Sequence, residues 1–439
     1  MPNWKKIAGG FAAIGAVAAA GVGFWAYDSL NTGRSSVADD KIALADFKST
    51  DPDAIRRGEY VMRTGDCMAC HTEHGKTPFA GGYEFKTPFG TLLSSNITPD
   101  RETGIGAMTE RDFFDAVRHG QGSKGFLYPA MTYTAYAKLS DQDMHDLWAY
   151  MSNVEPAAHV VDENAGMNFP YNIRLAMAGW NTLFFDNNGF VAEPAQSQEW
   201  NRGKYIVEGG GHCAACHSPR NSLGAEIASK YLEGGNLGEW FAPDITGNAH
   251  TGLGDLSNAD IVEYLKTGSN HLSIATGPMA EAVENSTQYM TDPDLQAIAT
   301  YLKSVEGGKS QPPAPMPAGR PAMTASALRY EVNCSACHGL QGEGIPSMIP
   351  AFADNKAITA DDATNLIRAM LVGARAVATH DKPTAAGMPS FEWKMDDRQI
   401  AETLNYIRNT WGNAAKPVTI EDVAKMRALL KARGNLAAN

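Results

Sequence analysis

The sequence predicts a mainly α-helical chain of three similar modules in tandem behind one membrane-spanning N-terminal helix. Three observations carry this. The pattern C-x-x-C-H occurs three times, as CMACH at 67, CAACH at 213 and CSACH at 334, and uses all six cysteines of the 439-residue chain. Similar segments flank each copy in the same order. No charged residue occurs between Ile7 and Tyr27, just after Lys5 and Lys6.

The motif states its own chemistry. Two thiols three positions apart reach the two vinyl groups of one porphyrin as thioethers, and the next His falls under the iron. Cys67, Cys70, Cys213, Cys216, Cys334 and Cys337 are therefore candidates to attach three covalent haems c, with His71, His217 and His338 as proximal iron ligands. Zinc is a poorer reading, because zinc brings two C-x-x-C pairs together and here each pair is distant from the next and followed by its own His. A redox-active dithiol gives no reason for that His.

Each module should begin with a helix. Arg57-Gly58-Glu59-Tyr60 precedes the first motif, Arg202-Gly203-Lys204-Tyr205 the second, and the third keeps Arg329-Tyr330. After the motif, Asn96-Ile97-Thr98 matches Asp244-Ile245-Thr246, and TERDFFDAVRHG matches SNADIVEYLKTG, compressed to ADDATNLIRAMLVG in the third copy. Phe113, Phe114 and Val117, then Ile261, Tyr264 and Leu265, then Leu366, Ile367 and Met370 recur at helical intervals and are expected core faces. Terminal helices are expected to start near Ser140, Thr291 and Asp396, whose side chains can accept first-turn N–H groups. Between these helices each module holds a loop with Pro or Gly and a Met: Met131, Met279 and Met388. Their equivalent places in three repeats mark them as sixth iron ligands, whereas the other Met residues read as ordinary apolar fillers. His119, His271 and His380 are rival ligands that would break the three-fold correspondence. This order of parts resembles class I cytochrome c domains.

The expected division runs 1–30 for a transmembrane signal-anchor, 45–155 for the first cytochrome c-like domain, 156–197 for a connection, 198–306 for the second domain, 307–324 for a Pro-rich linker, 325–412 for the third domain and 413–439 for an amphipathic tail. As a helix, Ile7 to Tyr27 would be about 31 Å long, enough to cross a bilayer. A cleaved signal peptide competes, with Ala18-Ala19-Ala20 as its cleavage region, but the apolar stretch runs on through Val22, Phe24 and Trp25. Lys5 and Lys6 put the N-terminus in the cytoplasm and the haem modules outside the inner membrane. The connection contains FPYNIRLAMAGWNTLFF, read either as a packed crossing or as a docking surface. In the tail, Val418, Val423, Met426, Leu429 and Leu430 share an apolar face that suits docking on the third module or lying in a membrane interface. A net charge of -12 argues against a nucleic-acid partner.

Taken together, GDCMACHT at 65, FKTPFGTLLSSNITPD at 85, GIGAMTERDFFDAVRHG at 104, LYPAMTY at 127, GHCAACHSPR at 211, STQYMTDPDLQAIATYLKS at 286 and IRNTWGN at 407 span all three modules. On these stretches the chain resembles the triheme cytochrome c subunits of bacterial membrane-bound dehydrogenases for alcohols, aldehydes, gluconate and related sugars. The resemblance implies a catalytic partner subunit, whether molybdenum/iron-sulfur, quinoprotein or flavoprotein, and a possible small subunit. It also implies oxidation in the periplasm and ubiquinone as electron acceptor. The Phe169 to Phe185 stretch looks more like the cytochromes that accompany molybdenum and iron-sulfur aldehyde or N-heterocycle dehydrogenases. An electron-transfer subunit with no substrate chemistry of its own is the function expected. The alternatives are a multihaem enzyme with an open iron site and a free periplasmic shuttle.

Overall fold

The computed structural model describes residues 41–434 except 310, 312, 315, 318–320, 347 and 354. The expected anchor, Ile7 to Tyr27, lies outside the described residues. Among those described, no helix is long and apolar enough to cross a membrane. The fold is mainly helical, with strands confined to short antiparallel pairs such as β1 (Glu84–Thr87) with β2 (Gly90–Leu93). Contacts divide it into two compact units, one of residues 41–62 with Cys70–Val191 and the other of Arg63–Ala69 with residues 192–434.

In the first unit, helix α1 (Pro52–Thr64) crosses the terminal helix, which begins on the expected cap Ser140 and runs Asp141–Met151. The crossing depends on Gly58. A Cβ there would stand 1.9 Å from the carbonyl oxygen of Asp146, so only the bare backbone lets the helices touch. Arg57 then forks onto the Asp146 carboxylate with two 2.8 Å bonds. The helix Glu110–His119 opens on a capping box between Thr109 and Asp112, ends on left-handed Gly120, and buries Phe113, Phe114 and Val117 as its sequence spacing requires. The 156–191 stretch packs on this unit. Backbone N–H groups of Thr91 and Leu93 donate to Gly166 and Glu163, Met167 is buried beside Leu92 and Tyr128, and the Tyr133 hydroxyl donates to Asn181. Phe169, Tyr171, Ile173, Leu175 and Leu183 stay exposed on its outer side.

The second unit repeats the crossing. Helix Gln198–Tyr205 meets helix Asp292–Ser304 at Gly203, where a Cβ would lie 2.0 Å from the Ala297 carbonyl oxygen, and Arg202 forks onto Asp294. Helix Asn258–Thr267 buries Ile261 and half-buries Tyr264 and Leu265. The third repeat supplies helices Pro321–Asn333, Thr364–Val372 and Asp397–Arg408, the last capped by Asp396. The first of these begins inside the stretch expected to be the Pro-rich linker and runs directly into the motif at Cys334. The tail forms the helix Ile420–Ala432, and its Val423, Met426 and Leu430 enter the same core as Ile367, Met370 and Leu404. Its apolar face is thus docked on protein, as the first of the two readings had it.

The second and third modules, expected as separate domains, fall in one unit because polar side chains bind them to each other. Asn365 accepts from the Phe241 N–H at 2.9 Å and donates to its carbonyl at 2.7 Å. Arg368 pairs with Glu239 and lies 3.9 Å from the centre of the Trp240 ring system. Lys382 bonds Glu263 and Ser269, and Asn355 donates to the Leu272 carbonyl.

Candidate haem-binding sites

Each C-x-x-C-H sequence forms a short helical turn: Cys67–His71, Ala214–His217 after Cys213, and Ser335–His338 after Cys334. No disulfide bond joins any of the six cysteines. Burial pushes the Cys67 and Cys213 thiols up to about 12 and Cys334 to about 11, and raises Cys216 as well. Before attachment these groups therefore hold their protons.

The motif histidines must present an unprotonated Nε2 to a metal. Burial favours this, lowering the basicity of His71 and His217 and bringing His338 down to about 4. His71 Nδ1 lies 2.7 Å from the Ser95 carbonyl oxygen and His217 Nδ1 2.7 Å from that of Pro243. A proton on Nδ1, donated to the carbonyl, leaves Nε2 free and fixes the ring plane. The repeated Asn96-Ile97-Thr98 and Asp244-Ile245-Thr246 segments explain these acceptors. Asn96 and Asp244 each accept from the N–H and hydroxyl of the Thr two residues on, and that turn sets the carbonyl just before it. Sequence reasoning found the repeat but not this purpose, because a backbone acceptor has no side-chain signature. In the third module His338 Nδ1 is buried with no hydrogen-bond partner among the described residues, and its ring is stacked on Phe352.

In the second unit one cavity of about 860 Å³ is lined by Cys213, Cys216, His217 and Met279 and also by Cys334, Cys337, His338 and Met388. Ile206, Leu253, Ile261, Tyr264, Leu366 and Phe391 give it largely apolar walls. At the second and third motifs, thiols, a neutral imidazole, a thioether and an apolar wall are the donor set and surroundings that a covalent haem requires, so the residues there fit the group.

The three expected Met ligands occupy different local structures. Met131 ends a short 3-10 turn after Pro129, Met279 sits in the first turn of helix Pro278–Asn285, and Met388 belongs to a two-residue strand paired with Ala374–Arg375. The loop expected at Met279 is therefore helical there. All three are partly buried. Among the rivals, His119 Nδ1 bonds Asn187, His271 is exposed beside Asp260, and His380 rests edge-on to Tyr289; neither His271 nor His380 lines the cavity.

Comparison with known proteins shows the family of the chain. The cytochrome c family matches residues 201–306 and 323–411, and the family of subunit III of cbb3-type cytochrome c oxidase matches 53–151. The gluconate 2-dehydrogenase cytochrome c subunit of Pantoea cypripedii is 39% identical over 408 residues, 88% of this chain and 92% of that one. The chain belongs to the dehydrogenase cytochrome c subunit family. Cytochrome c domains carry covalently bound haem c. Other members of this family are the cytochrome c subunit of Gluconobacter oxydans alcohol dehydrogenase (quinone), 38% identical over 87% of this chain and 84% of that one, and the fructose dehydrogenase cytochrome subunit of Gluconobacter japonicus, 36% identical over 85% of this chain and 83% of that one.

Proposed function

We propose that this family member is the electron-transfer subunit of a membrane-bound dehydrogenase. It takes electrons from a separate substrate-oxidising subunit on the periplasmic side of the inner membrane and delivers them to ubiquinone. The observation that carries the reading is the three-fold C-x-x-C-H, each copy on a helical turn, with a Met beside two of the motifs in a shared apolar cavity. Three haems c, bound in three cytochrome c-like domains, would supply one-electron carriers.

The residues have separate tasks. Cys67 with Cys70, Cys213 with Cys216, and Cys334 with Cys337 would form the thioethers that attach the haems. His71, His217 and His338 would bind the iron through Nε2, and the Ser95 and Pro243 carbonyls hold the first two of these rings in orientation. Met131, Met279 and Met388 would supply the second iron ligands, and a thioether there would favour ferrous iron and deny the site to other ligands. The names of the relatives point to gluconate, an alcohol or fructose as substrates of the partner subunit, whereas the Phe169 to Phe185 stretch favours an aldehyde or N-heterocycle dehydrogenase. The quinone acceptor is named for the Gluconobacter oxydans relative and is extended to this chain.

The test is catalysis by the purified holoprotein alone. It should oxidise neither alcohols, aldehydes nor gluconate, yet its haems should be reduced by the dehydrogenase subunit purified separately with substrate. Substrate turnover by the cytochrome without that subunit would overturn the carrier reading.

A further inference from the structure

The two motifs that open onto the common cavity hold their histidines differently. His217 Nδ1 meets the Pro243 carbonyl at 2.7 Å, an acceptor fixed by the Asp244 turn. His338 Nδ1 is buried without a partner among the described residues, and its ring lies against Phe352 with centroids 4.3 Å apart and planes 20° from parallel. An imidazole that donates Nδ1–H to a carbonyl gains negative charge on its ring and becomes the more basic ligand, which stabilises ferric iron. One held by stacking lacks that gain and leaves the ferrous form relatively favoured. Solvent exposure also tunes such sites, but it does not separate these two clearly. Cys334 is buried and Cys337 exposed, while Cys213 and Cys216 are both intermediate.

Resting on the three-haem reading above, we propose that the His338 site has a higher reduction potential than the His217 site, so that electrons entering this cavity settle at His338. In that exchange one electron leaves ferrous iron at His217, which becomes ferric, and reduces ferric iron at His338. His338 Nδ1 keeps its proton throughout, and the dehydrogenase subunit is the upstream reductant. His338 is thereby the ligand that sets direction, and Phe352 is its positioning residue.

The experiment is a spectroscopic redox titration of the full-length holoprotein, with Met279→His and Met388→His used to assign the waves, since each exchange moves the wave of its own haem downward. The native wave displaced by Met388→His should lie above the one displaced by Met279→His; coincidence or the reverse order overturns the proposal. A second measurement needs no variant. In ferrous protein labelled with 15N-histidine, the Nδ1 of His217 should resonate downfield of that of His338, as a nitrogen whose N–H donates a hydrogen bond does, and equal shifts overturn the proposal too. Counting haems by intact mass separates the two levels: fewer than three covalent haems per chain defeats the underlying reading and the proposal with it, whereas three haems with the wrong order defeat the proposal alone.

Discussion

A Met thioether is a weak ligand whose removal leaves the covalent attachment and the proximal His in place, so single-residue changes test the sixth position cleanly. Met131→Ala, Met279→Ala and Met388→Ala should each keep three haems by mass while opening one ferrous haem to carbon monoxide, read as one-third of the total haem absorbance shifting. Binding of carbon monoxide by the native protein would remove that module's Met from the ligand set. At this scale the sequence speaks where chemistry needs a particular side chain, and Cys213, Cys216 and His217 do line one cavity. It was silent where chemistry needs a main-chain oxygen. Ser95 and Pro243 hold two of the three motif histidines, yet nothing in a Ser or a Pro advertises that its carbonyl is the functional group. The third histidine's lack of such a partner was equally invisible, because it depends on how the shortened stretch after Cys337 is folded.

The elements were read well from periodicity and capping, as the buried Phe113, Ile261 and Ile367 faces and the Ser140, Thr291 and Asp396 caps attest. What periodicity could not give was how closely helices pass. Gly203→Ala forces a Cβ to within 2.0 Å of the Ala297 carbonyl oxygen, so the crossing must open, at a cost of about 1–3 kcal/mol or more. Gly189→Ala, with open space around the glycine, is the control and should stay within about 0.5 kcal/mol. Thermal midpoints of the two holoproteins check this; equal midpoints would mean that the crossing relaxes freely. The tail helix yields a second measurement. Leu430 is fully buried against the third module's core, so Leu430→Ala should cost about 2–5 kcal/mol, read as earlier loss of the Met388-linked haem spectrum in urea. An interfacial membrane helix would leave that stability unchanged.

For the whole molecule, the two-unit division was not legible, since Asn365, Arg368 and Lys382 are ordinary polar residues until the fold sets them against Phe241, Trp240 and Ser269. That division matters for attachment. With the tail helix committed to the core, the Ile7 to Tyr27 stretch, expected from its sequence to be an anchor, would be the strongest remaining membrane attachment, because a spanning apolar helix outweighs surface contacts. Exchanging residues 1–30 for a cleavable signal peptide should therefore move the cytochrome from the membrane fraction to the soluble periplasm with its haem content intact. Transfer from the dehydrogenase subunit to the haems should persist, because it needs only the two proteins, while reduction of membrane ubiquinone should fall sharply for want of proximity. Fractionation with haem staining and a quinone-reduction assay on the same cells report both. If the protein stays fully with the membrane, the attachment comes instead from a partner subunit or from the exposed apolar surface of Phe169 and Leu183, which are 80% and 71% accessible. Introducing Phe169→Ser and Leu183→Ser into the anchorless protein distinguishes those two sources: release identifies the exposed surface, and continued retention identifies the partner.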